Sequence, residues 1–172
     1  MQALRPVRRV AELGSLGHTA RPVDSIAFTV PKDKATGVQI IINGRDLIEI
    51  VRDIELPFAT REGSPQIAGA YSGLPSHRVF SPSRHFLGEP DPIYADGERR
   101  TCVLECECGE PGCWPLAVRI ELREREVVWS DFRQPHRGPH SNAGEWRYDA
   151  LSSFTFDRQV YEQALSGQKR VA

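Results

Sequence analysis

Residues 101–132 read TCVLECECGEPGCWPLAVRIELREREVVWSDF, and this stretch carries the pattern that predicts the main sheet. Between residues 114 and 122 every second residue is apolar, and charged side chains fill the later intervening positions. Because the side chains of a strand alternate between its two faces, this pattern predicts a half-buried strand at 114–123. A short Arg-Glu-Arg link joins it to a second apolar run at 126–132. The two runs therefore predict a hairpin that forms part of a β-meander.

Upstream of this stretch, the sequence predicts a hairpin followed by a helix. Residues 24–30 and 37–42 are two β-branched, apolar runs separated by a polar loop, which is typical of paired strands. From Asp46 onward apolar residues recur at helical spacing, and acidic side chains stand in the first turn, where the helix dipole favours them. We expect this helix to end near Leu56, because Pro57 disfavours the α conformation in the residue before it.

Three further signals complete the predicted fold. Asp96-Gly97 is typical of a tight turn, which would join a short strand at 92–95 to a longer strand at 98–108. Residues 154–156 indicate another short strand, and Asp157 is suited to cap a last helix. Strands and helices are thus segregated along the chain. The sequence predicts the α+β class, with a largely antiparallel sheet made of a β-hairpin and a β-meander, one central helix and one C-terminal helix.

Length and composition predict a single globular domain. The chain has 172 residues, of which 40% are apolar and 26% are charged. We expect a flexible N-terminal arm at 1–22, one α+β domain at 23–167 and a disordered tail at 168–172. Lys and Arg number 22 against 23 Asp and Glu, so charge gives no reason to expect nucleic acid or an anionic membrane as a partner. No apolar run approaches the roughly 18 residues of a transmembrane helix.

The four cysteines all lie between residues 102 and 113. Disulfide scaffolds spread their cysteines along the chain, so this clustering without an export signal favours a reducing compartment, which we expect to be the cytoplasm. Cys102 and Cys106 are four residues apart in a predicted strand and therefore roughly 13 Å apart. Sulfur atoms on one zinc ion lie within roughly 4 Å of each other. Cys102 is accordingly assigned to the core and excluded from a shared metal site.

The remaining cysteines, Cys106, Cys108 and Cys113, are the candidate metal ligands. Cys106 and Cys108 can converge where the strand ends, and Gly109 and Gly112 allow the positive φ angles that a turn back to Cys113 needs. Three thiolate ligands are typical of zinc, which is therefore the predicted cofactor. They leave one of the four coordination positions of the ion for another ligand. Two other interpretations stay open, namely reduced cysteines without a metal and a disulfide between Cys108 and Cys113.

A histidine is the candidate for the fourth position on zinc. His136 follows the last strand of the predicted meander, so the hairpin can bring its loop back to the cysteines. His140 and His85 are weaker candidates because they stand further out in loops. A closed site of three cysteines and one histidine would be structural, whereas an open fourth position would permit chemistry.

Two short motifs resemble known proteins. The pattern Cys-x-Cys-x4-Cys at 106–113 resembles the zinc motif that follows the catalytic domain in many histone methyltransferases, which implies a shared way of wrapping zinc and no shared activity. The segments INGRDL at 42–47, ELP at 55–57 and CECGEPGCWPL at 106–116 resemble a group of uncharacterised bacterial proteins. This second resemblance implies a shared fold and no mechanism.

These features favour a non-enzymatic, zinc-stabilised accessory or protein-interaction domain. A first alternative is a small zinc-dependent, hydrolase-like enzyme with an open coordination position, in which Glu105 or Glu107 would carry protons. We expect both carboxylates to point away from the core and to be solvated. A second alternative is a metal-free binding protein, such as an antitoxin-like partner, with a groove in residues 57–92. The sequence indicates no oligomeric state.

Aromatic and basic residues around the cysteines give further expectations. Trp114 and Trp129 stand on neighbouring predicted strands and are expected to pack across them. Trp146 stands in a polar loop and is expected to be exposed. Residues 133–137, Arg-Gln-Pro-His-Arg, are predicted to form a solvated loop, with contact to a phosphate or a carboxylate as the alternative.

Overall fold

The computed structural model describes residues 23–32, 37–95 and 97–167. The predicted arm at 1–22 and the predicted tail at 168–172 lie outside these residues. In chain order the elements are β1 (Ile26–Thr29), β2 (Gln39–Ile42), β3 (Arg45–Asp46), α1 (Leu47–Arg61), β4 (Tyr71–Gly73), α2 (Ser76–Val79), β5 (Thr101–Cys106), β6 (Leu116–Leu122), β7 (Glu126–Arg133), β8 (Phe154–Asp157) and α3 (Arg158–Leu165). Short 3₁₀ helices span Pro65–Ile67, His85–Leu87 and Pro92–Tyr94. Over the described ranges, no helix combines the length and the apolar character needed to cross a membrane.

The strands form two antiparallel sheets. One has the order β1-β2-β3 and the other the order β4-β5-β6-β7-β8. Both sheets contribute to one apolar cluster that also contains Val51 of α1 and Tyr161 of α3. Asp157 accepts a hydrogen bond from the backbone N–H of Val160 (2.9 Å) and so caps α3, as expected from its position. The predicted α+β class, with a hairpin, a meander, a central helix and a C-terminal helix, is confirmed.

The register of the meander fixes where the cysteines lie. Leu104 on β5 pairs with Leu116 on β6, and Ala117 on β6 pairs with Arg133 on β7. The end of β5, the start of β6 and the end of β7 are therefore neighbours at one edge of the sheet. The connection from β5 to β6 and the loop after β7 consequently leave the sheet side by side.

The predicted end of the central helix is wrong. Helix α1 continues beyond Pro57 to Arg61. Pro57 has no N–H to donate to the carbonyl of Asp53, but Asp53 lies on the exposed side of the helix, where water can hydrate that carbonyl. Ala59 is fully buried beyond the proline, and Phe58 packs against the core, so these apolar contacts offset the lost hydrogen bond.

The predicted strand at 92–95 is also not formed. Pro92–Tyr94 is a 3₁₀ helix that begins with a proline, and Asp91 accepts a hydrogen bond from the N–H of Ile93. Of the predicted hairpin, the described residues on either side of position 96 form a single antiparallel bridge, between Ala95 and Thr101. Proline at the first helical position is favourable because its fixed φ suits a helix and its missing donor is not needed there.

The predictions that Trp114 packs on Trp129 and that Trp146 is exposed are both wrong, because contacts with distant segments of the chain place these side chains. Trp129 is fully buried and packs edge-on against Tyr161 of α3. Among the described residues, its ring makes no contact with the ring of Trp114. Trp114 instead meets Trp146 edge-on at 5.8 Å between ring centroids. Trp146 is only 2% exposed, because its indole N–H donates to Glu62 at the end of α1 (2.9 Å). The loop after β7 thus folds back onto α1.

A buried carboxylate also ties this loop to α1. Glu55 is fully buried, and its Oε1 accepts hydrogen bonds from the hydroxyls of Tyr71 (2.6 Å) and Tyr148 (2.5 Å). Its Oε2 accepts from the backbone N–H of Gly69 (2.8 Å). Burial raises the pKa of Glu55, while these hydrogen bonds oppose the rise. One side chain therefore joins α1, the start of β4 and the distant segment that carries Tyr148.

Substituting Glu55→Ala should lower the free energy of unfolding by about 3 kcal/mol or more, because it leaves two buried hydroxyls and an amide without their acceptor. Urea denaturation followed by circular dichroism measures the change. Glu49→Ala is the matched control, since Glu49 is exposed on the same helix, and it should cost less than about 1 kcal/mol. Equal stability of the two variants would refute a structural role for the Glu55 network.

Candidate metal centre

The first part of the connection between β5 and β6, residues 107–113, is shaped by its backbone and contributes nothing to the core, whereas Trp114 after it packs against the core and Pro115 is buried. Every residue from 107 to 113 is exposed. Gly109 and Gly112 have φ angles of +81° and +75°, which glycine adopts without strain. The N–H of Gly109 donates to the carbonyl of Cys106 (2.9 Å), and the N–H of Cys113 donates to the carbonyl of Glu110 (3.2 Å). These two tight turns bring the chain back beside the end of β5.

The turns bring three sulfur atoms together. The Sγ atoms of Cys106, Cys108 and Cys113 all lie within 4.8 Å of one another, and all three cysteines are free thiols. Sulfurs that share a tetrahedral zinc ion with bonds of about 2.3 Å are roughly 3.8 Å apart, so only a small contraction is needed. These three cysteines can therefore hold one metal ion, as the sequence predicted.

The thiols of this cluster influence one another. Burial raises the pKa of Cys106 to about 11, and its hydrogen bond with Cys108 adds to the rise. The same hydrogen bond, in which Cys108 is the acceptor, lowers the pKa of the Cys108 thiol. The backbone N–H of Cys108 also approaches Cys106 Sγ at 3.5 Å. A thiolate on Cys108 is thus stabilised by its neighbour, and the thiolate is the form that binds a metal.

Cys102 lies apart from this cluster, in the core, as predicted. It is 4% exposed, and its thiol donates to the carbonyl of Leu104 (2.9 Å). Burial raises the pKa of Cys102 to about 12, so the thiol stays protonated at neutral pH. A register shift in the pairing of β5 with β6 occurs between Cys102 and Leu104.

His136 lies beside the turn at 107–113 but outside the group of three sulfurs. Its ring Nε2 is hydrogen-bonded to the carbonyl of Gly112 (2.7 Å), the residue that precedes Cys113. Its backbone N–H donates to the side chain of Gln134 (2.8 Å). The loop after β7 therefore reaches the cysteine turn, and the role of His136 as fourth ligand stays a prediction.

The two weaker histidine candidates lie elsewhere. His85 is buried, with Nε2 hydrogen-bonded to the carbonyl of Cys102 (2.7 Å) and Nδ1 accepting from the N–H of Asp91 (3.3 Å). Burial lowers the pKa of His85, and both of its ring nitrogens are occupied. His140 is exposed and lines a cavity in the loop after β7. Neither belongs to the cysteine group among the residues that the structure describes.

The expectation that Glu105 is solvated is wrong. Glu105 is 6% exposed, and its carboxylate accepts a hydrogen bond from the hydroxyl of Tyr94 (3.3 Å). Burial raises the pKa of Glu105. All residues from Thr101 to Glu105 are buried, because both faces of β5 are covered. Glu107 is exposed, as expected, since it lies in the turn after β5.

Two cavities share His136 in their linings and were not foreseen from the sequence, and the smaller one also borders the turn at 107–113 through Gly112. One has a volume of about 140 Å³, and its lining includes Tyr94, Cys102, Gly112 and His136. The other has a volume of about 440 Å³, and its lining includes Glu62, His136, Arg137 and His140. Both depend on how the loop after β7 folds back, and no local pattern encodes that path.

No protein-family model matches the chain, and no curated protein and no solved structure matches it either. The fold and the site together define an α+β domain with a three-cysteine cluster that can hold a metal ion.

Proposed function

We propose that this chain is a zinc-stabilised accessory domain without catalytic activity of its own, which presents its metal-binding turn to a partner protein. The observation that carries the proposal is the convergence of the Cys106, Cys108 and Cys113 sulfurs within 4.8 Å on one exposed turn.

The ligand chemistry favours zinc. Thiolates are soft ligands that select zinc, copper(I) or iron–sulfur clusters over magnesium and calcium. Zinc has no preferred geometry of its own and accepts the tetrahedral arrangement that three cysteines and one further ligand provide.

A structural role follows from the exposure of the turn. Residues 107–113 bury no apolar side chain that would hold their conformation. Two backbone hydrogen bonds alone contribute little net stability, typically about 1 kcal/mol each. Binding a metal to three residues of the turn stabilises the folded state directly, since the unfolded chain offers no preformed site.

The position of the turn supports a role in interaction. Cys108 and Cys113 are exposed, as are the neighbouring Glu107 and Glu110, so the centre lies on the surface. Catalytic metal ions work in dry, shaped cavities that exclude water. A metal centre at the tip of an exposed turn is better placed to fix a contact surface for a partner protein.

For the fourth position we propose His136. Its imidazole is already hydrogen-bonded to Gly112, which directly precedes the ligand Cys113. Its ring nitrogens are not within 4.8 Å of all three sulfurs, so ligation requires a movement of the ring or of the turn.

One observation favours the alternative of a small hydrolase-like zinc enzyme. The 140 Å³ cavity lies against Gly112 and His136 and offers space beside an open coordination position. In that case water would occupy the fourth position, and His136 would support the turn without touching the metal.

Purified, untagged full-length chain should contain one zinc ion per molecule, measured by elemental analysis. Cys108→Ser and Cys113→Ser should each lose most of it, because two thiolates bind zinc far more weakly than three. Chelation should lower the melting temperature of the parent chain and leave that of the Cys113→Ser variant unchanged. Cys102→Ala is the matched control: it loses a buried thiol and some stability but should keep its zinc. A metal-free parent chain would contradict the proposal and favour the metal-free binding protein.

His136→Ala and His136→Gln together test the fourth ligand. If His136 binds the metal, both variants should lose at least about tenfold in zinc affinity, and the cobalt-substituted protein should change its visible spectrum in both. If His136 only supports Gly112, the glutamine variant should retain the parent spectrum, since an amide can replace that hydrogen bond. A parent spectrum that shifts on addition of free imidazole would instead indicate an open position and favour the enzyme.

A further inference from the structure

Arg137, the residue after His136, contacts the rings of two tryptophans. Its guanidinium carbon lies 4.4 Å from the ring centroid of Trp114 and 5.4 Å from that of Trp146. Such stacking fixes the plane of a guanidinium group and attracts its charge to the ring faces. The side chain of Arg137 is only 22% exposed, which is low for an arginine in a surface loop.

Glu62 forms an ion pair with the same guanidinium group. Its carboxylate accepts from Nε of Arg137 (3.1 Å) and from the indole N–H of Trp146 (2.9 Å). The Glu62 side chain is 7% exposed, so this ion pair is largely screened from water. Nη1 of Arg137 donates to the carbonyl of His136 (3.0 Å). Among the described residues, Nη2 of Arg137 has no hydrogen-bond partner.

The guanidinium group borders the cavity of about 440 Å³. That volume lies within the usual range of small-molecule sites, which is roughly 300 to 1,000 Å³. Besides Glu62 and Arg137, the polar side chains of the lining are His136, His140, Ser141 and Asn142. His140, Ser141 and Asn142 can each donate a hydrogen bond, whereas Nε2 of His136 is already bonded to the carbonyl of Gly112. Glu62 is the one acidic residue of the lining and is already engaged by Arg137 and Trp146.

We infer that this cavity binds a small organic molecule through a carboxylate or phosphate group that Arg137 receives. Arginine suits these groups because its planar set of donors matches their oxygen atoms. A guanidinium group already stacked and anchored loses little side-chain entropy when the ligand binds. The donors of residues 140–142 would then contact the remaining oxygens or the body of the ligand. This site shares His136 with the proposed zinc ligation, but its anion would be received by Arg137 and residues 140–142, so the inference does not depend on zinc.

Inorganic phosphate and succinate are the probes, each titrated into the full-length chain at constant ionic strength maintained with sodium chloride. Tryptophan fluorescence reports binding, since Trp114 and Trp146 contact Arg137. A saturable change in fluorescence is expected with at least one probe. Binding of phosphate alone would identify a phosphorylated ligand, and binding of succinate alone would identify a carboxylic acid. Binding of both would indicate that the site recognises the chemistry that the two groups share. Absence of a saturable change with either probe overturns the inference.

Two pairs of variants localise the binding. Arg137→Gln should weaken binding of the probe at least about tenfold, because a charged hydrogen bond is lost. Arg147→Gln is the control and should leave the affinity unchanged, since Arg147 lies in an exposed ion pair outside the lining. Asn142→Asp places a negative charge on the lining without disturbing the tryptophans and should weaken binding several-fold. Ser152→Asp adds the same charge at an exposed position outside the lining and is the control. Unchanged affinity in both Arg137→Gln and Asn142→Asp would place the anion elsewhere and refute the site.

Discussion

An exposed turn whose side chains do not reach the core needs some other interaction to keep a defined shape. Residues 107–113 belong to the connection between β5 and β6 of the larger sheet, and all of them face solvent. Hydrophobic burial, which orders most of the molecule, cannot order this segment. A metal ion bound by Cys106, Cys108 and Cys113 would supply that interaction, because it would join three separate positions into one rigid unit.

The loop after β7 connects this turn to the rest of the fold. His136 contacts Gly112 of the turn, Arg137 stacks on Trp114 and pairs with Glu62, and Tyr148 reaches the buried Glu55. Helix α1, the cysteine turn and this loop therefore share one continuous set of contacts. His136 and the loop that carries it line both cavities.

Features that depend on local chemistry were predictable from the sequence. Alternation at 114–122 gave strand β6, Asp157 gave the cap of α3, and the spacing of cysteines and glycines gave the convergence of Cys106, Cys108 and Cys113. Features that depend on distant segments were not. The burial of Glu105 requires cover on the outer face of β5, and the burial of Trp146 requires its loop to fold onto α1. Helix α1 continues through Pro57 because Phe58 and Ala59 make tertiary contacts with the core. Helix propensity is a local property and does not include such contacts.

X-ray absorption at the zinc edge of the purified full-length chain identifies the ligands of the proposed site. Ligation by Cys106, Cys108 and Cys113 requires a first coordination sphere of three sulfur atoms at about 2.3 Å and one nitrogen or oxygen atom at about 2.0 Å. A sphere of nitrogen and oxygen atoms without sulfur, or an absence of zinc from the protein, would rule that ligation out.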